Sequence, residues 1–252
     1  MGKLYKIIVI IIFCIGILGI TDSVFASYFG YSTWYDADKN WDGQDTYMCW
    51  AAAASNILAW GSWGMSQFDN EDKIFTNLVD HWTNQGSLMH VGWNWWFNGE
   101  YPSGYPYDSD WSTVDVSGGG NYWPGYNVSD YYHGYWAEAN AMSKVDEYLH
   151  AGYGTTLAVY AGGSGHALTV WGYEYLGSDY QGVYVTDSDD HASQLAYYPV
   201  SLVGSEWGLG GAYSGWHIGG VEAFAVNPEP VSSLLFLLGG GLLAARRLRK
   251  KK

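Results

Sequence analysis

Positive charge is confined almost entirely to the two ends of this chain, and that segregation limits what the middle can be. Eight of the eleven cations are Lys3, Lys6, Arg246, Arg247, Arg249, Lys250, Lys251 and Lys252. Residues 27–226 keep only Lys39, Lys73 and Lys144 against 23 carboxylates, a formal charge of −20. A body that acidic repels phosphate backbones, which excludes a nucleic-acid-binding role. Aromatic residues make up 18% of the chain, far too many for a disordered polar one. No repeat of fixed period and no linker divides residues 27–226, which are long enough to bury a sizeable core.

The ends read as addresses. Lys3 and Lys6 precede the apolar run Ile7–Ile20, and Val24-Phe25-Ala26 supplies small residues at a cleavage site, so residues 1–26 are expected to be a signal peptide. The alternative, an uncleaved anchor, needs ~20 apolar residues, more than this run holds. Cleavage would remove Cys14 and leave Cys49 alone, with no intramolecular disulfide. At the other end, Asn227-Pro228-Glu229-Pro230-Val231 leads into Leu234–Ala245 and then a basic block. This order resembles the PEP-CTERM sorting signal of Gram-negative bacteria. The resemblance implies export to the cell envelope, cell surface or extracellular matrix, with exosortase-type machinery and the membrane as partners of a tail at 227–252. A plain C-terminal anchor, its cations held inside, is the alternative.

Within the body, Ala51–Trp60 is Ala-rich with Ala53, Ile57 and Trp60 on one face, which predicts a helix. Ser66–Trp82 and Tyr135–His150 show similar spacing, and Gly152 can end the latter. Gly86–Gly134, dense in Gly, Trp, Tyr, Asp and Pro, predicts irregular loops with short strands. Thr155–Tyr160, His166–Tyr175, Gly182–Thr186 and Val221–Val226 read as strands, the middle two as a hairpin with a longer loop. Helices first and strands later imply an α+β domain.

Cys49 is the first chemical candidate, because a cysteine at a helix start lies near unpaired amides and the positive end of the dipole, which stabilise a thiolate. A buried inert cysteine is the plain alternative. His166, opening the first hairpin strand after Gly162-Gly163-Ser164-Gly165, is the candidate base. Asp187 ends the second strand and could hold the far ring nitrogen, a role also open to Asp189 or Asp190. The other six histidines read as surface or packing residues. Asp38-Lys39-Asn40-Trp41-Asp42-Gly43 matches the start of a calcium loop, but its twelfth position is Cys49 instead of glutamate, so no metal site is expected.

Trp34-Tyr35-Asp36, Lys39, Gly43, Asp45, Cys49, Ala51-Ala52 and Ser55-Asn56 together resemble the IdeS/Mac family of papain-like cysteine endopeptidases. His166, Val170-Trp171-Gly172 and Tyr184-Val185-Thr186-Asp187-Ser188-Asp189 continue that resemblance over 163–193. It implies Cys49 as nucleophile, His166 as general base, Asp187 as its orienting partner, Asp189 as a second aspartate near the site and Lys39 as an oxyanion-hole residue. It also implies a papain-like α+β fold, the nucleophile's helix packed against an antiparallel sheet carrying the histidine. Trp50 stands where immunoglobulin-cleaving members have glycine, and the Cys49-to-His166 segment is shorter, so their substrate does not carry over. The expectation is an exported cysteine endopeptidase of a protein or peptide substrate, with no cofactor. The rivals are a transpeptidase or amidase using the same triad, and a non-catalytic adhesin or glycan-binding module using the aromatic stretches Trp93–Phe97 and Tyr101–Trp136.

Overall fold

A helix that is apolar all round must be buried on every side, and two segments here obey that rule. In the computed structural model, which describes residues 26–40, 43–99 and 118–228, α1 (Cys49–Trp60) is buried continuously from Trp50 to Leu58. It lies between α2 (Glu71–His81), α3 (Met89–Asn98) and strand β4 (Ser164–Leu176). Helix α2 starts later than its sequence pattern, where the Asn70 side chain accepts the Lys73 amide. Helix α3 was expected to be loop. Its polar residues His90, Asn94 and Asn98 are too few to mark a solvent-facing side of the helix; every residue from Met89 to Phe97 is buried. Helix α4 (Ala141–His150) is shorter than its pattern, because Tyr132–Tyr135 forms strand β2 instead.

The strands are β1 (Ser27–Gly30), β2, β3 (Gly154–Ala161), β4, β5 (Asp179–Thr186), β6 (Ala196–Val203), β7 (Glu206–Leu209) and β8 (His217–Phe224). All pairings are antiparallel. From β4 the ladder runs through β3, β8, β7, β6 and β5, and β5 then pairs with β4 again. This closed six-stranded barrel corrects the expected papain-like α+β arrangement, in which a helix packs against a sheet. The difference comes from β6 and β7, which were not expected as strands at all. Pro199 interrupts the β6 pattern and β7 is only four residues long, so neither shows strand periodicity. Together they form a hairpin that fills the gap between β5 and β8. Irregularities in β4 at Val170/Gly172 and Glu174/Tyr175 supply the bends that closure needs.

Two hairpin turns are tighter than expected. Ala161 pairs with Ser164 across Gly162-Gly163, both at positive φ, the backbone that a two-residue turn requires. Leu176 pairs with Asp179, so the β4–β5 loop is also two residues.

Side-chain alternation divides the interior in two. Leu157, Val159, Leu168, Val170, Val183 and Val185 join the apolar face of α4 in one core. On the opposite faces, Ala158, Ala167 and Trp171 join α1–α3 in the other. The expected signal peptide up to Phe25 and the tail from Glu229 lie outside the described residues. Among the described residues, no helix is long and apolar enough to cross a membrane.

Candidate active site

The two cores meet along a cleft of about 580 Å³, lined from the helical side by Lys39, Tyr47, Cys49, Leu88 and Met89. Tyr160, His166, Asp189, Tyr213 and Trp216 line it from the barrel side. Cys49 opens α1, half-buried and with a free thiol. The helix has no side-chain cap and no acidic residue in its first turn, so its N-terminal amides and dipole face the sulfur unneutralised.

His166 lies 117 residues further along the chain, on the face of β4 shared with Leu168 and Val170. Its Nε2 lies 2.8 Å from Asp187 Oδ1, and Cys49 lines the same cleft beside it. With Nε2 held by Asp187, Nδ1 is the ring nitrogen left for another partner; it lies 4.0 Å from Asp189 Oδ2. Burial pushes the imidazole down, yet its hydrogen bond with Asp187 and the proximity of Cys49 outweigh this, and it is raised to about 10. Burial likewise pushes the Asp187 carboxyl up. The hydrogen bond and charge of His166, the Tyr213 hydroxyl and the Asp189 amide overcome it, and Asp187 is held below the ordinary carboxylate value.

Asp187 accepts two further hydrogen bonds on Oδ2, from Tyr213 Oη at 2.8 Å and from Tyr198 Oη at 3.1 Å. Tyr213 also stacks on His166, with ring centroids 5.4 Å apart and planes 14° from parallel. Burial first, then the Asp187 charge, holds both phenols well above their usual range, so both remain donors. Sequence reasoning missed these tyrosines. They come from the unrecognised β6 and from the link between β7 and β8, and nothing local distinguishes them among 23 tyrosines.

Lys39 is buried at the cleft wall. Its Nζ lies 2.9 Å from Thr46 O and 2.5 Å from Asp189 Oδ1, and its amide donates to Ser188 O. Asp189 Oδ2 lies 4.0 Å from His166 Nδ1, so all five expected site residues gather here. Asp190 does not; it accepts the Ala192 amide. Donor atoms of His166, Asp187 and Asp189 lie within 4.8 Å of one another, a spacing that suits a metal ion. The Lys39 ammonium already occupies the cationic position on Asp189, and Asp187 is committed to His166.

The calcium-loop pattern is only partly described, since Trp41 and Asp42 lie outside the described residues. Asp38 faces His191 and Asn40 donates its amide to Asp45. Asp36 of the same segment is pushed up to about 8 by burial, then by Asp38, Asp190 and Asp187. None of the other six histidines lines the cleft. Of the rings proposed for glycan stacking, Trp93, Trp95, Trp96 and Phe97 are 0% exposed, whereas Trp136 is 39% exposed. Residues 101–117 of the second stretch lie outside the described residues.

Asn56 sets the distance between the two sides. It lies seven residues after Cys49, its Oδ1 accepts the Ala37 amide at 2.8 Å, and its Nδ2 donates to Thr169 at 3.1 Å and Thr186 at 3.4 Å. One buried amide thus ties the helix of Cys49 to β4 beyond His166 and to β5 beside Asp187. No family model matches this chain, and no curated protein matches it.

Proposed function

We propose that this protein is a cysteine endopeptidase acting through Cys49, His166 and Asp187. One observation carries the reading: a free thiol at a helix N-terminus without a side-chain cap shares one cleft with an imidazole that is held by a buried carboxylate. The resemblance of residues 34–60 and 163–193 to the IdeS/Mac family supports the same assignment.

In this mechanism His166 holds the thiol proton and the Cys49 sulfur adds to a peptide carbonyl. The oxyanion is stabilised by the Cys49 amide and Lys39. His166 gives its proton to the departing amine as the C–N bond breaks, leaving a thioester on Cys49. Water then loses a proton to His166 and adds to the thioester; the acid leaves and the thiol is restored. Asp187 holds the imidazolium in place through Nε2. The resemblance of the tail to a PEP-CTERM signal supports action outside the inner membrane, on protein or peptide substrates.

The test is cleavage of a diverse peptide mixture by the full chain. Cys49→Ala and His166→Ala are expected to lose at least about a thousandfold in rate, with far-UV circular dichroism maintained in both and Tm maintained in Cys49→Ala. Full activity in Cys49→Ala would overturn the reading. Including amine nucleophiles in the same assay separates hydrolysis from transpeptidation by the identity of the product.

A further inference from the structure

We infer that Tyr198 and Tyr213 are positioning residues of this site, which hold Asp187 as an ionised, correctly aimed acceptor for His166. This rests on the peptidase reading above and adds to it a role for the segment that closes the barrel.

A carboxylate has two oxygens, and only one can face the histidine. Oδ1 serves His166 Nε2 and the Asp189 amide, at 2.8 and 3.1 Å. Oδ2 points away from the ring into the protein, where an unpaired anionic oxygen is costly. Asp187 is only 2% exposed, so water cannot readily take that place. The two phenols fill it from independent elements, Tyr198 from β6 and Tyr213 from the link between β7 and β8. Two donors on Oδ2 prevent the carboxylate from turning and keep it charged, which a hydrogen-bond partner to an imidazolium must be. Tyr213 adds its flat contact on His166, confining the ring from one face. Neither hydroxyl touches the cleft's reacting sulfur; both act through Asp187.

The surrounding charges fix what a titration would report. Asp187 and His166 are faced by Cys49 from α1, Lys39 and Asp36 from the segment before it, Asp189 and Asp190 from the loop after β5, and the two phenols. Removing one phenol donor weakens the ionised form of Asp187 alone, so its protonation moves to higher pH.

The experiment compares Tyr213→Phe, Tyr198→Phe and the double variant of the full chain with Tyr197→Phe. Tyr197 is the β6 neighbour whose hydroxyl binds Glu174. The acid limb of the kcat profile is expected to move up by about one pH unit per hydroxyl lost, with kcat lowered several-fold and KM little changed in Tyr198→Phe. Tyr197→Phe should leave the profile in place. The ¹⁵N shift of His166 Nε2, which faces Asp187, follows the same titration without needing activity and should move in parallel. An unchanged acid limb together with an unchanged His166 titration in the double variant would overturn the positioning role while leaving the peptidase reading intact. Activity surviving in Cys49→Ala would overturn both.

Discussion

Around α1–α3 the core is made of indoles, whereas the barrel core is made of Leu, Val, Ile and Tyr. Trp50, Trp63, Trp93, Trp95 and Trp96 are all fully buried on the helical side. An indole brings a polar N–H with it, and four of these find backbone carbonyls. Trp50 donates to Gln85, Trp63 to Ala225, Trp93 to Ala54 and Trp96 to Trp63. That side is therefore an apolar mass pinned at fixed points. The barrel is instead a continuous antiparallel ladder, and its polar interior groups converge on Asp187. The helical side brings Cys49 and Lys39 to the cleft, and the barrel brings His166 with the carboxylate and phenols behind it.

The largest effect expected of any single change falls on activity, at Cys49 or His166, and for Cys49 leaves stability nearly untouched. Trp63→Ala should do the reverse. Its ring is packed against Phe97, Trp123, Tyr126, Tyr131 and Phe224, and its carbonyl accepts the Trp96 and Trp123 indoles. Urea unfolding should show a loss of about 3–5 kcal/mol. A loss below about 1 kcal/mol would mean that the indole core is not the stabilising mass described.

The seam between the regions offers the next test. His90 of α3 and Glu222 of β8 are both fully buried and paired through the ring, and Glu222 also accepts the Tyr132 hydroxyl at 2.8 Å. Removing one member leaves the other's charge or dipole stranded. Glu222→Ala is expected to cost about 3–5 kcal/mol, while replacing both residues by leucine should recover most of it. Equal losses in the single and double variants would show that the pair itself stabilises the seam.

A smaller effect is set by pH. His166 is raised from its unfolded value near 6.5 to about 10. The folded state therefore holds more protons in this window, and its contribution is complete below 6.5 and lost as pH rises through about 10. The Tm difference between wild type and His166→Gln should narrow over that interval by a few degrees. A constant difference would mean that His166 is not charged in the folded protein at neutral pH.

Much of the site could be read from residue order alone. Cys49 beginning an Ala-rich helix, and His166 and Asp187 at matching ends of a hairpin, are local patterns; Cys49 and His166 line the cleft and Asp187 is buried behind His166. Barrel closure was not legible, because β6 contains a proline, β7 is too short to show alternation, and closure depends on pairing rather than period. Helix α3 was hidden for the opposite reason, being buried on every face from Met89 to Phe97.

What the sequence determined by itself is therefore the set of elements whose neighbours lie close along the chain: α1, the two hairpin strands after Gly162-Gly163, and the candidate residues they carry. The tertiary structure decided that the sheet closes, that Tyr198 and Tyr213 reach Asp187, and that the cysteine's helix lies against β4. The Asn56 bond to Thr186 spans 130 residues. A contact of that reach leaves no periodic trace in either segment; it exists only because burial of the surfaces between them brings the two amino acids together.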